Sequence, residues 1–235
     1  MKELKGILLD AEGTFLHIYP SVGHVYSYIL QKHGYKTDPQ QINKAFFKIW
    51  QKEQTRKKET ISRESNYQFW KNIFLNATNE VVKLEDPEMV FEECYNEFSK
   101  KKWWQLAPNF LEALKTWNQE GLKIAVVSNW DERLIKLLDE FNIRDLFHAL
   151  IISTEVGLEK PDPEIIKLAC KKIDIEPSQA VMIGDNLDLD YEAAKAAGCA
   201  GLIYDPKQRY PDIKQTISDF KEIKNKKLLL TACSQ

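Results

Sequence analysis

Short runs of consecutive apolar residues stand at both ends of a long stretch in which apolar positions instead recur every three or four residues. After the first run, Ile7-Leu8-Leu9, the spacing turns helical: Val22, Val25, Ile29 and Leu30 share a face, with Ser21 placed as an N-cap and Gly34 as a stop. Asp38-Pro39 opens a second segment with Ile42, Ala45, Phe46, Ile49 and Trp50 on one stripe, and Tyr67, Trp70, Ile73 and Phe74 mark a third. Asp86-Pro87 opens a fourth, carried by Val90, Phe91, Cys94, Tyr95 and Phe98. Residues 16–106 therefore read as about four helices with no strand between them, a small bundle with its own aromatic interior.

From Pro108 the rhythm changes. A helix over residues 109–120 stops at Gly121 and leads into the apolar run Ile124-Ala125-Val126-Val127. A helical stripe of Leu134, Leu137, Leu138 and Phe141 precedes Leu150-Ile151-Ile152, and Ile165, Ile166 and Ala169 precede Val181-Met182-Ile183. An alanine-rich helix over 191–197 and the strand Gly201-Leu202-Ile203-Tyr204 follow. Apolar runs without polar alternation are what strands covered on both faces require, so the pattern predicts an α/β protein with a Rossmann-like parallel sheet. The core is expected from residues 1–15 and 107–235, with an inserted all-helical (four-helix) cap domain over 16–106. The chain shows no internal repeat and no low-complexity stretch.

Composition narrows the function classes. A chain of 235 residues, 43% hydrophobic and 29% charged, is long enough for such a core and insert and too apolar for disorder. Its net charge of −2 supplies no field for nucleic acid or an anionic membrane, so neither is an expected partner. No apolar run approaches the roughly 20 residues that span a bilayer. Met1-Lys2-Glu3 leads straight into a strand-like run, which leaves no room for a signal peptide. Cys94, Cys170, Cys199 and Cys233 are scattered with no C-x-x-C pair, as expected of reduced thiols in a cytoplasmic protein. The runs Arg56-Lys57-Lys58 and Lys100-Lys101-Lys102 read as solvated helix faces, with steering of an anionic substrate as the other reading. His17 and His24 have no matching ligands nearby and read as surface or hinge residues.

The chemistry lies at the strand ends. Asp10 closes the first run; Gly184-Asp185 closes the fourth, with Asp190 five residues later. Neighbouring parallel strands bring such acids into one crevice, where their mutual repulsion is relieved by a cation, and a hard ion such as Mg²⁺ suits an all-carboxylate set. Ser128-Asn129 offers a hydroxyl, an amide and backbone N–H groups after the second run of the core, and Lys160, in Gly157-Leu158-Glu159-Lys160-Pro161, offers a compact cation. A nucleophilic acid, anion-holding donors, a lysine and further acids for a metal make a full inventory for phosphoryl transfer. Taken singly, each of these residues is an ordinary cap or turn residue; the set at successive strand ends is what points to catalysis. Trp130, just after Asn129, is expected to face the crevice and touch the leaving group.

The ordered set Asp10-x-Glu12-Gly13-Thr14, Ser128-Asn129, Lys160-Pro161 and Gly184-Asp185-x-x-x-x-Asp190 resembles the four motifs of the haloacid dehalogenase-like hydrolase superfamily. The helical insert between the first and second motifs resembles its C1-capped branch, so the likeness covers essentially the whole chain. It implies a Mg²⁺-dependent phosphatase that hydrolyses a small phosphorylated metabolite through an aspartyl-phosphate. By that resemblance Asp10 is the nucleophile and a metal ligand, and Glu12 the acid/base, with its backbone carbonyl a further metal ligand. Thr14, Ser128 and the backbone amides at Asn129 bind the phosphoryl oxygens, and Lys160 neutralises the charge shared by Asp10 and the phosphate. Asp185 is a metal ligand, and Asp190 is a ligand or the partner of one.

The departure from the family pattern is Glu12, where phosphatases of the superfamily usually carry Asp. Glutamate extends the side chain by about 1.5 Å. A displacement of that order costs about 10²-fold in rate where the backbone does not compensate. Two alternatives to an efficient phosphatase stay open: a binding or regulatory protein weakened in turnover by Glu12, and a metal-independent haloacid dehalogenase, whose first motif Asp-Ala-Tyr-Gly-Thr is close to the one here. The retained Asp185 and Asp190 weigh against dehalogenation, as does Gln51 near the position of the dehalogenases' cap arginine. A monomer or a weak homodimer is expected.

Overall fold

The computed structural model describes residues 3–54 and 60–233, and contacts divide these into two units. The first comprises residues up to 17, 106–130 and from 142 onward; the second comprises 18–105 and 131–141. The basic run at 56–58 lies outside the described residues.

The first unit is built on strands β1 (Gly6–Leu9), β4 (Lys123–Ser128), β5 (Ala149–Ile152), β6 (Ala180–Gly184), β7 (Ala200–Tyr204) and β8 (Thr216–Ile217), numbered to leave β2 (Leu16–Ile18) and β3 (Trp104–Leu106) for a separate two-stranded sheet where the chain passes between units. The six strands stand in the order β5-β4-β1-β6-β7-β8, with parallel pairing throughout. The chain thus starts mid-sheet, builds outward on one side through β4 and β5, and then on the other through β6, β7 and β8. An α/β sheet with this reversal opens its crevice at the carboxyl ends of the central strands. Register fixes which residues meet there: Leu9 pairs with Val126 of β4 and with Ile183 of β6, so Asp10, Ser128 and Asp185 all emerge at one end of three adjacent strands.

Burial explains the apolar runs. Leu8, Val127 and Met182 face a layer of Ile165, Ile166, Ala169 and Cys170 from the helix Pro163–Lys172, and every residue of β1 and β6 is buried. A buried leucine or isoleucine of this kind contributes about 2 kcal/mol relative to an exposed one. On the same unit Phe15 stacks on Phe110 at 4.5 Å, and Trp117 satisfies its indole N–H on the Ile223 carbonyl at 2.8 Å.

The second unit contains α1 (Val22–Lys32), α2 (Pro39–Gln54), α3 (Arg63–Asn79) and α4 (Pro87–Glu97), all four expected from periodicity. Tyr26, Ile42, Phe46, Ile73, Phe74, Phe91 and Cys94 form its buried interior. Asp86 caps α4 by accepting the Met89 N–H at 3.0 Å, with Pro87 in the first turn. Ser21 occupies the N-cap of α1, but its hydroxyl pairs with His24 Nδ1 at 2.9 Å and makes no cap to the backbone. Residues 131–141 join this unit through a buried polar node. Asp131 receives Arg133 Nε at 2.8 Å and Nη2 at 2.7 Å, the Tyr95 hydroxyl at 3.1 Å and Asn66 Nδ2 at 2.5 Å, while the guanidinium lies 3.6 Å over the Tyr95 ring. The lysine run at 100–102 is not a helix face. Lys101–Trp103 is a 3₁₀ turn, and Lys100 and Lys102 are both tied to the buried Glu97.

Candidate active site

Asp10 extends β1 by one residue, donating its N–H to the Ile183 carbonyl at 2.9 Å, and its side chain is buried. The chain then turns sharply. Thr14 and Leu16 N–H groups return to the Ala11 carbonyl at 3.3 and 2.9 Å, and Gly13 sits at φ +88°, a left-handed conformation that glycine alone adopts cheaply. A Cβ at Gly13 would lie 2.6 Å from Asp185 Oδ1, so glycine also lets this turn approach Asp185 closely. Thr14 is fully buried, with its hydroxyl 3.4 Å from Asp10 Oδ2.

Lys160 is the electrostatic centre. Its Nζ lies 2.6 Å from Asp10 Oδ1 and 2.6 Å from Asp190 Oδ1, with the side chain 2% exposed. A buried amine ordinarily prefers to be neutral, but each carboxylate at this range returns about 6 kcal/mol at an effective dielectric near 20. Burial lowers and the two acids raise the ammonium's pKa, and the acids win. The lysine is delivered by Asn129, whose side chain clamps its peptide: Nδ2 donates to the Lys160 carbonyl and Oδ1 accepts its N–H, both at 2.8 Å. The Asn129 side-chain amide is thus committed to the Lys160 peptide, which leaves its backbone N–H as the group available to an anion. The neighbouring Ser128 is buried at the end of β4, and its hydroxyl makes no hydrogen bond among the described residues. Trp130 is 9% exposed, and its carbonyl accepts from Ser153 Oγ at 3.1 Å and Thr154 N–H at 3.3 Å.

Asp190 comes from a π-helical turn, Leu187–Glu192, capped by Asn186, whose side chain accepts the Asp188 and Leu189 N–H groups at 3.0 Å. Such turns are rare and cluster at functional sites. Here the turn brings Asp190 back against the end of β6, where Gly184 leaves the space that a Cβ would fill. Both Asp190 oxygens have partners, Oδ1 with Lys160 and Oδ2 with the Asn186 N–H at 3.0 Å.

One carboxylate oxygen from each of Asp10, Asp185 and Asp190 falls within 4.8 Å of the others. Burial raises the Asp10 carboxyl well above the usual carboxylate range, with Asp190 and Asp185 adding to it and Lys160 opposing. Asp185 is raised for the same reasons, burial first and then Asp190, against the opposing Arg209. Glu12 is an exposed residue whose carboxyl has no hydrogen bond among the described residues; desolvation, followed by the Asp185 charge, pushes it upward. Hard oxygen donors, a surplus of negative charge and an Asp185 Oδ1 with no hydrogen bond among the described residues fit a divalent cation such as Mg²⁺.

Asp205 and Arg209 join the site without having been expected there. Asp205 follows β7 just as Asp10 and Asp185 follow their strands, so the strand-end rule applied to the last predicted strand would have found it. Arg209, which contacts both Asp205 and Asp185, sits in a loop with no periodicity.

Comparison with known proteins identifies the family. The sequence pattern of the haloacid dehalogenase-like hydrolases matches residues 4–198. Haloacid dehalogenase-like hydrolase domain-containing protein 3 of Mus musculus is 28% identical over 201 residues, covering 83% of this chain and 80% of its own. Glyceraldehyde 3-phosphate phosphatase of Methanopyrus kandleri is 35% identical over 97 residues, or 39% of this chain and 40% of its own. The crystal structure of a magnesium-bound HAD-hydrolase from Bacillus subtilis shares the fold, with a TM-score of 0.77 at 16% identity over 94% of this chain and 97% of that one.

Proposed function

This chain belongs to the haloacid dehalogenase-like hydrolases, and from that premise we propose that it is a Mg²⁺-dependent phosphatase of a small phosphorylated metabolite. The observation that carries the proposal is the buried Asp10 carboxylate at the tip of β1, paired with Lys160 and faced by Asp185 and Asp190. Asp10, Asp185 and the backbone carbonyl of Glu12 would hold the metal, which when bound supplies charge neutralisation between carboxylate and phosphate. The similarity to a phosphatase of a phosphorylated triose supports phosphate ester cleavage over carbon–halogen cleavage.

The protein's own groups then act in sequence. Ser128 and Thr14 hydroxyls and the N–H groups after Ser128 bind the phosphoryl oxygens, while Lys160 holds Asp10 and the incoming dianion close together. Asp10 attacks phosphorus, the ester P–O bond breaks, and Glu12 gives its proton to the leaving oxygen. Glu12, now ionised, takes a proton from water, whose oxygen attacks phosphorus. The bond to Asp10 breaks, releasing phosphate and restoring the carboxylate. Asp190 keeps Lys160 aimed throughout.

Purified protein is expected to release inorganic phosphate from p-nitrophenyl phosphate and from members of a phosphorylated-metabolite panel in Mg²⁺, and to stop in EDTA. Undiminished release in EDTA would remove the metal from the reading. Glu12 decides between working enzyme and weakened relative. If its longer side chain is matched to this backbone, Glu12→Asp withdraws the carboxyl and lowers kcat by about 10²-fold. A rise in kcat would instead favour a protein that has lost turnover at this position.

A further inference from the structure

Asp205, 4% exposed, ends β7 beside β6 and accepts the Tyr210 N–H at 2.9 Å and Arg209 Nε at 3.3 Å. From that anchor Arg209 Nη2 reaches the neighbouring strand end, donating to the Asp185 backbone carbonyl at 2.9 Å and to its Oδ2 at 3.2 Å. The guanidinium therefore grips the main chain and one carboxylate oxygen of Asp185 together. The whole carboxylate lies against the turn that carries Asp10, with Oδ1 2.6 Å and Oδ2 2.9 Å from a Cβ built on Gly13, and Oδ1 has no hydrogen bond among the described residues. Arg209 thus holds one of the two oxygens and leaves the other open to a ligand.

We propose that Arg209 is a positioning residue for the metal site, setting the side-chain angle at which Asp185 offers Oδ1. The inference rests on the reading of Asp185 as a metal ligand. Without the fork, repulsion from Asp10 and Asp190 is free to turn the Asp185 carboxylate away, and the ligand must be reoriented each time an ion binds. Partners that orient a ligating carboxylate typically contribute 10–100-fold in metal affinity. A planar fork spans Asp205 and Asp185 at once; an ammonium on a flexible stem does not, so charge without geometry is insufficient.

Isothermal titration of Mg²⁺ into wild-type, Arg209→Ala and Arg209→Lys proteins tests this. Arg209→Ala is expected to weaken Mg²⁺ binding by about tenfold, and Arg209→Lys to recover little of the loss. The Mg²⁺ concentration for half-maximal phosphate release should rise in parallel, with kcat at saturating Mg²⁺ preserved. Arg209 is partly exposed, so the melting temperature in EDTA should move by no more than about 2 °C, which separates ligand positioning from a merely structural role. Unchanged or tighter binding by Arg209→Ala, or full recovery by lysine, overturns the role of Arg209 alone. Absence of Mg²⁺ binding by the wild type overturns the metal site itself, and the inference with it.

Discussion

Replacing Asp10 by asparagine is expected to reduce phosphate release by about 10⁴-fold or more, because an amide in place of the proposed nucleophile does not attack phosphorus. The substitution preserves the shape of the side chain and its position after β1, where backbone pairing to Ile183 fixes the main chain whatever the residue. What it removes is the negative charge and one carboxylate oxygen that Asp10 brings to the cluster with Asp185 and Asp190. Folding should survive, since the amide still accepts from Lys160 at Oδ1. Steady-state assays with Asp10→Asn at saturating Mg²⁺ provide the check, and activity within tenfold of wild type would remove Asp10 from the chemistry.

The second large effect is on stability. Lys160→Met leaves the carboxylates of Asp10 and Asp190 facing each other across a buried space without their common cation, and breaking a buried ion pair from one side costs about 3–5 kcal/mol. For a chain of this length that is a fall in melting temperature on the order of 10 °C, measured without metal. The double variant Lys160→Met with Asp190→Asn should recover part of the loss, because one of the stranded charges has gone. Rate should also fall, by about 10²–10³-fold, through loss of the charge that lets carboxylate and phosphate approach. A melting temperature equal to wild type would show that Lys160 is not the counter-ion its geometry makes it.

Much of this site was readable in advance because parallel sheets impose a simple rule. A buried strand must be apolar along its whole length, so the polar residue that ends it is conspicuous, and register then brings the ends of β4, β1 and β6 side by side. Asp10, Ser128 and Asp185 obey that rule. What escaped the reading lacked such a contrast. The strands β2, β3 and β8, of three, three and two residues, are too short for a period to declare itself. The π-helical turn that brings Asp190 to Lys160 reads in sequence as the start of an ordinary helix. Lys100 and Lys102 look like solvent-facing charge until the fold brings Glu97 between them. Arg209 likewise acquires its role only because β7 lies next to β6, which places the anchor Asp205 beside Asp185.

The proposed mechanism requires a covalent bond between Asp10 and phosphorus. Wild-type protein turning over p-nitrophenyl phosphate in Mg²⁺ can be quenched in acid, digested and mass-mapped. The peptide bearing Asp10 is predicted to gain the mass of one phosphoryl group, and to lose it when EDTA precedes substrate or when Asp10→Asn is used. Phosphate release at full rate with no adduct on that peptide, and an equal rate from Asp10→Asn, would contradict it.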